Sequence, residues 1–101
     1  MLQLDYTRGY IMKYLYYCHG KIANSYISAV NNTLVKKLKE KYKGEVDFKF
    51  TPRDGITSYM IRARLNVESR EKLLEIQEDI RYDEIRVRVI YKKWSKVISN
   101  N

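Results

Sequence analysis

Apolar and polar positions alternate along several stretches of the chain and follow a helical period in two others. In "SYMIRARLN", residues 58–66, Tyr59, Ile61, Ala63 and Leu65 alternate with Ser58, Met60, Arg62 and Arg64. In "DEIRVRVIYKK", Ile85, Val87, Val89 and Tyr91 alternate with Arg86, Arg88, Ile90 and Lys92. Side chains along a strand point to opposite faces in turn, so each pattern predicts a half-buried β-strand. "YIMKYLYYC", from Tyr10 to Cys18, is rich in aromatic and branched residues and predicts another strand. So does "EVDFKF", where Val46, Phe48 and Phe50 alternate with Asp47 and Lys49. "TPRDG" then makes a hairpin turn, with Pro52 fixing φ and Gly55 free to adopt a positive φ.

Helical periodicity holds from about Ile22 to Lys43. Ile22, Tyr26, Val30, Leu34 and Leu38 form one stripe, supported by Ile27 and Ala29. Lys36, Lys37, Lys39, Lys41 and Lys43 crowd its last turns, where cations are favoured by the helix dipole, and Gly44 supplies a stop. A second helix is predicted after Asn66 or Ser69, either of which can cap it, with Leu73, Ile76 and Ile80 as its stripe.

The resulting order, β-α-β-β-α-β over about residues 10–92, resembles the ferredoxin-like superfold. That resemblance implies an α+β domain with a four-stranded antiparallel sheet, strand order 4-1-3-2, and two helices on one face. The whole chain, 1–101, is read as one such domain. Residues 1–9 would add a short strand turning at "TRG", and the tail 93–101, from "KWSKVISNN", would fray.

If the helices cover one face, the apolar rows must point at them. Lys49, Met60, Arg62, Arg64, Arg86, Arg88, Ile90 and Lys92 then lie on the open face. A one-residue slip would bury guanidinium groups, so this parity is strongly specified. The first strand offers two parities. One row is Tyr10, Met12, Tyr14, Tyr16 and Cys18; the other is Ile11, Lys13, Leu15 and Tyr17. Burying Lys13 in a central strand costs more than burying tyrosines, which favours Lys13 and Tyr17 facing out. The other parity would set Tyr14 and Tyr16 between the arginines.

Charge sharpens this picture. The 101 residues carry 20 Lys+Arg against 12 Asp+Glu, a net +8. Residues 67–84 alone carry net −4, so the remainder carries +12, a segregation that attracts polyanions. The lone Cys18 excludes an intramolecular disulfide and suits a reducing, intracellular (cytoplasmic) setting. No signal peptide or membrane span is expected, since no apolar run approaches 18 residues.

A cationic open sheet with an aromatic or apolar centre resembles the RNA-recognition-motif version of the superfold, which stacks single-stranded RNA bases on its sheet. It is also similar to the RRM-like protein subunit of archaeal ribonuclease P. The expected function is non-catalytic binding of nucleic acid, RNA or single-stranded DNA. Arg62, Arg64, Arg86 and Arg88 would carry it, with Lys13, Lys49 and Lys92 as phosphate contacts and Tyr17 as the stacking residue. Backbone binding needs only positive charge at suitable spacing. The rival is a protein-interaction module, homodimeric or an inhibitor of the small mobile-element or viral kind.

Catalytic patterns do not emerge. Cys18 and His19 are strand neighbours pointing to opposite faces, so they form no local Cys–His couple. One Cys and one His cannot build a structural zinc site, and the isolated glycines make no phosphate-cradling loop, so neither metal nor cofactor is expected. Glu71, Glu75, Glu78 and Asp79 read as a solvated helix face. "YMIRARLNVESREKLLEIQEDI" is faintly similar to a strand–helix piece of LAGLIDADG homing endonucleases. "ANSYISAVNNTLVKKLKEKY" lacks the Gly-Asp-Gly end that carries their metal-binding acid, and no nuclease is expected.

Overall fold

A computed structural model describes residues 12–98. The strand expected at residues 1–9, Tyr10 and Ile11 of the first-strand rows, and the last three residues of the tail lie outside that range. The described chain runs β1 (Met12–Ala23), a helical segment α1 (24–41), β2 (Glu45–Arg53), β3 (Ile56–Val67), α2 (Arg70–Val87) and β4 (Tyr91–Ile98). The fold is α+β, with one open antiparallel sheet ordered β2-β3-β1-β4, the expected 4-1-3-2 read from the other edge.

β1 is longer than the aromatic run suggested. Past Cys18 it continues through Ala23, paired with Met60 to Ile56 of β3. Gly20 makes this continuation possible: a Cβ there would sit 2.6 Å from the Tyr59 hydroxyl oxygen and 2.8 Å from its ring. The Tyr59 ring thus fills the place a side chain would take beside the bare backbone. β2 and β3 close as a hairpin across Asp54 and Gly55, both at positive φ (50° and 83°), the two-residue turn whose twist matches the strands.

α1 therefore starts at Asn24 rather than Ile22. Its first turn, Asn24–Tyr26, is tight; Ile27–Val30 is α-helical; Asn31–Val35 and Lys37–Lys41 are wider turns. Thr33 Oγ1 donates to the Ala29 carbonyl at 2.7 Å where the widening begins, a local competition with the helix ladder. Val30, Leu34, Val35 and Leu38 are buried, whereas Tyr26 is 60% exposed and leaves the expected stripe.

α2 begins at Ser69, whose Oγ accepts from the Lys72 amide at 3.1 Å. Leu73, Ile76 and Ile80 are buried as expected, but the helix does not stop there. It runs to Val87, so the strand expected over Glu84–Lys92 does not form. Arg88 adopts φ 57° and ψ 57°; its N–H reaches the Ile85 carbonyl at 3.4 Å, and the Val89 N–H reaches the Glu84 carbonyl at 3.1 Å. That pair of bonds is a Schellman C-terminal cap, with arginine where glycine is usual.

The buried stripe explains why helix prevails: Leu73, Ile76, Ile80, Asp83, Glu84 and Val87 follow one continuous helical face. Asp83 and Glu84 occupy core-facing positions because each finds a partner. Lys37 of α1 reaches Asp83 at 2.7 Å and Asp79 at 2.9 Å, and Lys41 reaches Asp79 at 2.8 Å. Tyr16 of β1 donates to Glu84 at 2.6 Å, and Lys92 of β4 lies 3.2 Å from it. The last strand accordingly moves into the stretch expected to fray. β4 pairs with β1 from His19↔Tyr91 to Met12↔Ile98.

All buried sheet residues lie on the face beneath the helices: Tyr14, Tyr16, Cys18, Tyr59, Ile61, Ala63, Leu65 and Val67 among them. Trp94 of β4 packs on Tyr16, with ring centroids 4.7 Å apart. No described helix is long and apolar enough to cross a membrane.

Candidate nucleic-acid interface

The register sets out the uncovered face row by row. Glu45, Arg64, Leu15 and Ser95 form one row across β2, β3, β1 and β4. Asp47, Arg62, Tyr17 and Lys93 form the next, and Lys49, Met60, His19 and Tyr91 the one after. Lys13 continues the face at one end of β1 and Lys21 at the other, opposite Asn66 and Ser58. The first strand takes the parity that desolvation favours, with Lys13 and Tyr17 out and Tyr14 and Tyr16 in.

Tyr17 stands at the middle of this face. Arg62 and Lys93 are its cross-strand neighbours, and the Tyr91 ring meets it edge-on with centroids 5.9 Å apart. His19 stacks on Tyr91 at 5.3 Å with the planes 29° apart, so three rings form one patch across β1 and β4. Leu15, Tyr17, Arg62, Tyr91, Lys93 and Ser95 surround a shallow trough of about 290 Å³. The acids of this face, Glu45 and Asp47, belong to β2 at the sheet edge. Asp47 lies 3.5 Å from Arg62, but both are exposed, and such a pair holds weakly. Lys13, Lys49, Arg64, Lys21 and Lys93 have no acidic partner among the described residues.

Of the eight residues the sequence assigned to the interface, five share this face: Lys13, Tyr17, Lys49, Arg62 and Arg64. The placement of the other three is corrected. Arg86 is exposed on the last turn of α2 and Arg88 forms its cap, so neither belongs to the sheet. Lys92 is on β4 but opposite Cys18, and it points to the helix side, where Glu84 holds it. Ile90 likewise leaves the sheet face for the loop before β4, where its N–H donates to the His19 carbonyl at 3.0 Å. In their place the structure brings His19, Lys21, Tyr91 and Lys93. The available signal for Lys93 was the alternation in "YKKWSKV" with Trp94 as its apolar partner, a pattern obscured because Lys92 and Lys96 share Trp94's row.

The buried face differs in chemistry. Burial, with the Cys18 and Glu84 neighbours adding to it, pushes the Tyr16 phenol far above its ordinary range and keeps it a neutral donor. Burial likewise pushes the Cys18 thiol up to about 11, so it remains protonated at neutral pH. Partial burial disfavours the ionised Asp79 carboxylate. Hydrogen bonds from Lys41, Tyr42 and Lys37 outweigh that and hold it well below the carboxylate range. The lysine cluster of α1 is thus partly spent on α2. No group of three or more His, Cys, Asp or Glu among the described residues is placed to hold a metal ion. Neither a protein-family model nor a curated protein sequence matches the chain.

Proposed function

We propose that this protein binds single-stranded nucleic acid, RNA or DNA, on its uncovered sheet face and performs no catalysis. The observation that carries the reading is Tyr17, an aromatic ring at the centre of a sheet between Arg62 and Lys93. A base stacks on an aromatic ring without sequence preference, and flanking cations neutralise the phosphates on either side. Tyr91 and His19 extend the stacking surface toward one end, and Lys13, Lys49 and Arg64 line the remaining path. The element order and strand order favour a ferredoxin-like topology, and the single buried thiol favours an intracellular setting.

Fluorescence anisotropy with labelled single-stranded RNA, single-stranded DNA and duplex DNA tests the reading. Micromolar or tighter binding that weakens steeply with salt is expected, with single strands preferred over duplex. Absence of binding at low salt overturns it.

One feature favours the alternative of a protein-interaction module. Tyr82, Ile85 and Ile90 are each more than 60% exposed around the end of α2. Exposed apolar side chains gathered in one region mark contact surfaces more often than those scattered singly. A solution mass of twice the monomer, unaffected by salt, would support that alternative.

A further inference from the structure

The arginines that leave the sheet define a second candidate site. Arg86, Arg88 and Lys21 border a groove of about 560 Å³ where the end of β1, the start of α1 and the end of α2 meet. Its apolar lining includes Ile22, Val87, Ile56 and Tyr26, the first two buried and the last two more than half exposed. The framework is pinned: Asn24 N–H donates to the Gly55 carbonyl at 3.0 Å, and the Thr57 hydroxyl donates to the Asn24 side chain.

Three observations identify what would fill it. First, the charge around the groove is of one sign: no acidic residue lines it, and none of its three cations takes part in an ion pair among the described residues. Second, the wall offers little else to hydrogen-bond a ligand. The Thr33 hydroxyl already donates to the Ala29 carbonyl, and the remaining lining side chains are aliphatic or belong to Tyr26. An occupant therefore needs an apolar body rather than a base edge. Third, Arg88 sits at φ 57°, where an L-residue costs about 1 kcal/mol and glycine would be unstrained. The residue at this strained position is a cation that borders the groove. The volume falls in the range of small-ligand sites, roughly 300–1,000 Å³.

We propose that this groove binds a small anionic amphiphile, an aliphatic body ending in one carboxylate or phosphate. The head pairs with Arg86, Arg88 and Lys21 while the body covers Ile22, Ile56 and Val87. This site shares Lys21 with the far end of the sheet face but no residue with the Tyr17 trough, so the Arg86 and Arg88 variants test it independently of the nucleic-acid reading.

The test is a ¹H–¹⁵N NMR titration of the full chain with decanoate, decyl phosphate and neutral decanol. Saturable shifts at residues 21–29, 56 and 86–88 are expected for the two anions, the preferred head telling carboxylate from phosphate. Decanol should bind at least about tenfold more weakly, the equivalent of one lost charge-assisted contact. Arg86→Ala combined with Arg88→Gly leaves the cap geometry available and should weaken both anions by about tenfold or more. Ala29→Phe, an exposed position whose larger side chain fills the groove, should block them while the melting temperature stays unchanged. Shifts confined to the sheet face, equal binding of decanol, indifference to these variants, or no saturation would each overturn the proposal.

Discussion

"MIRARL" and "IRVRVI" carry the same alternation of arginine with apolar residues, yet one is a strand and the other a helix end. In the first, the apolar row finds a flat partner: Tyr59, Ile61, Ala63 and Leu65 are buried beneath the helices, and Arg62 and Arg64 face solvent. In the second, Val87 is buried, but Ile85 stays 66% exposed. What separates them lies just upstream, where Asp83 and Glu84 lock the helix to Lys37, Tyr16 and Lys92. Alternation reports the faces of a segment only once its neighbours have chosen the backbone, and here the buried stripe of α2, tied by two long-range ion pairs and the Tyr16 hydrogen bond, favours helix. The difference decides function as well, since it moves two arginines from the sheet to a separate groove.

The largest effect should come from removing the lock. Glu84→Ala strips a buried acceptor from Tyr16 and an ion-pair partner from Lys92, and should cost about 3 kcal/mol in denaturant unfolding. Glu84→Gln keeps an acceptor for Tyr16 and should cost clearly less. If Glu84→Ala were neutral, the account of why helix prevails over strand would fail.

A smaller change tests the backbone itself. Arg88→Gly relieves a positive φ and should stabilise by roughly 0.5 kcal/mol, after the extra chain entropy that glycine loses on folding. Glycine in the middle of a strand would instead destabilise, so the sign of the change separates helix cap from strand.

An effect between these two concerns the second tie between the helices. Asp79 has a folded pKa below its ordinary 3.8, so the stability it contributes is complete above that value and is lost as pH falls from there through the lower folded pKa. Because Lys41 is mostly exposed, the gain at neutral pH is modest, about 1 kcal/mol. Asp79→Asn should therefore be less stable than the parent at neutral pH and lose less stability than it on acidification to about pH 2, measured by urea unfolding at each pH.

Much of this architecture was legible from side-chain period. The hairpin at Asp54-Gly55 and the burial of β3 follow from turn chemistry and alternation, Ser69 was one of the two expected caps, and the strand order was implied by the resemblance to the ferredoxin-like superfold. The outward parity of β1 followed from the cost of burying Lys13. What could not be read had its cause far along the chain. Acidic residues in a core stripe look like the end of a helix unless Lys37, Tyr16 and Lys92 are known to meet them. β4 was hidden for the related reason that its inner row holds Lys92 and Lys96 around Trp94, a charged edge strand without an apolar stripe. The candidate interface was consequently half legible: its β3 arginines and Tyr17 were found, while Lys93, Tyr91 and His19 needed the strand that pairs beside them.

The most direct test of the central claim compares one arginine from each pair in one binding experiment. Affinity for labelled single-stranded RNA would be measured across a salt series for the parent, Tyr17→Ala, Arg62→Ala and Arg86→Ala. Tyr17→Ala should weaken binding by about tenfold with little change in salt slope, because stacking is lost and no charge is. Arg62→Ala should weaken it and lower the log–log slope by about one, the signature of one phosphate contact. Arg86→Ala should bind as the parent does. Loss of binding in Arg86→Ala with Tyr17→Ala and Arg62→Ala unaffected would contradict the account and move the interface from the sheet to the end of α2.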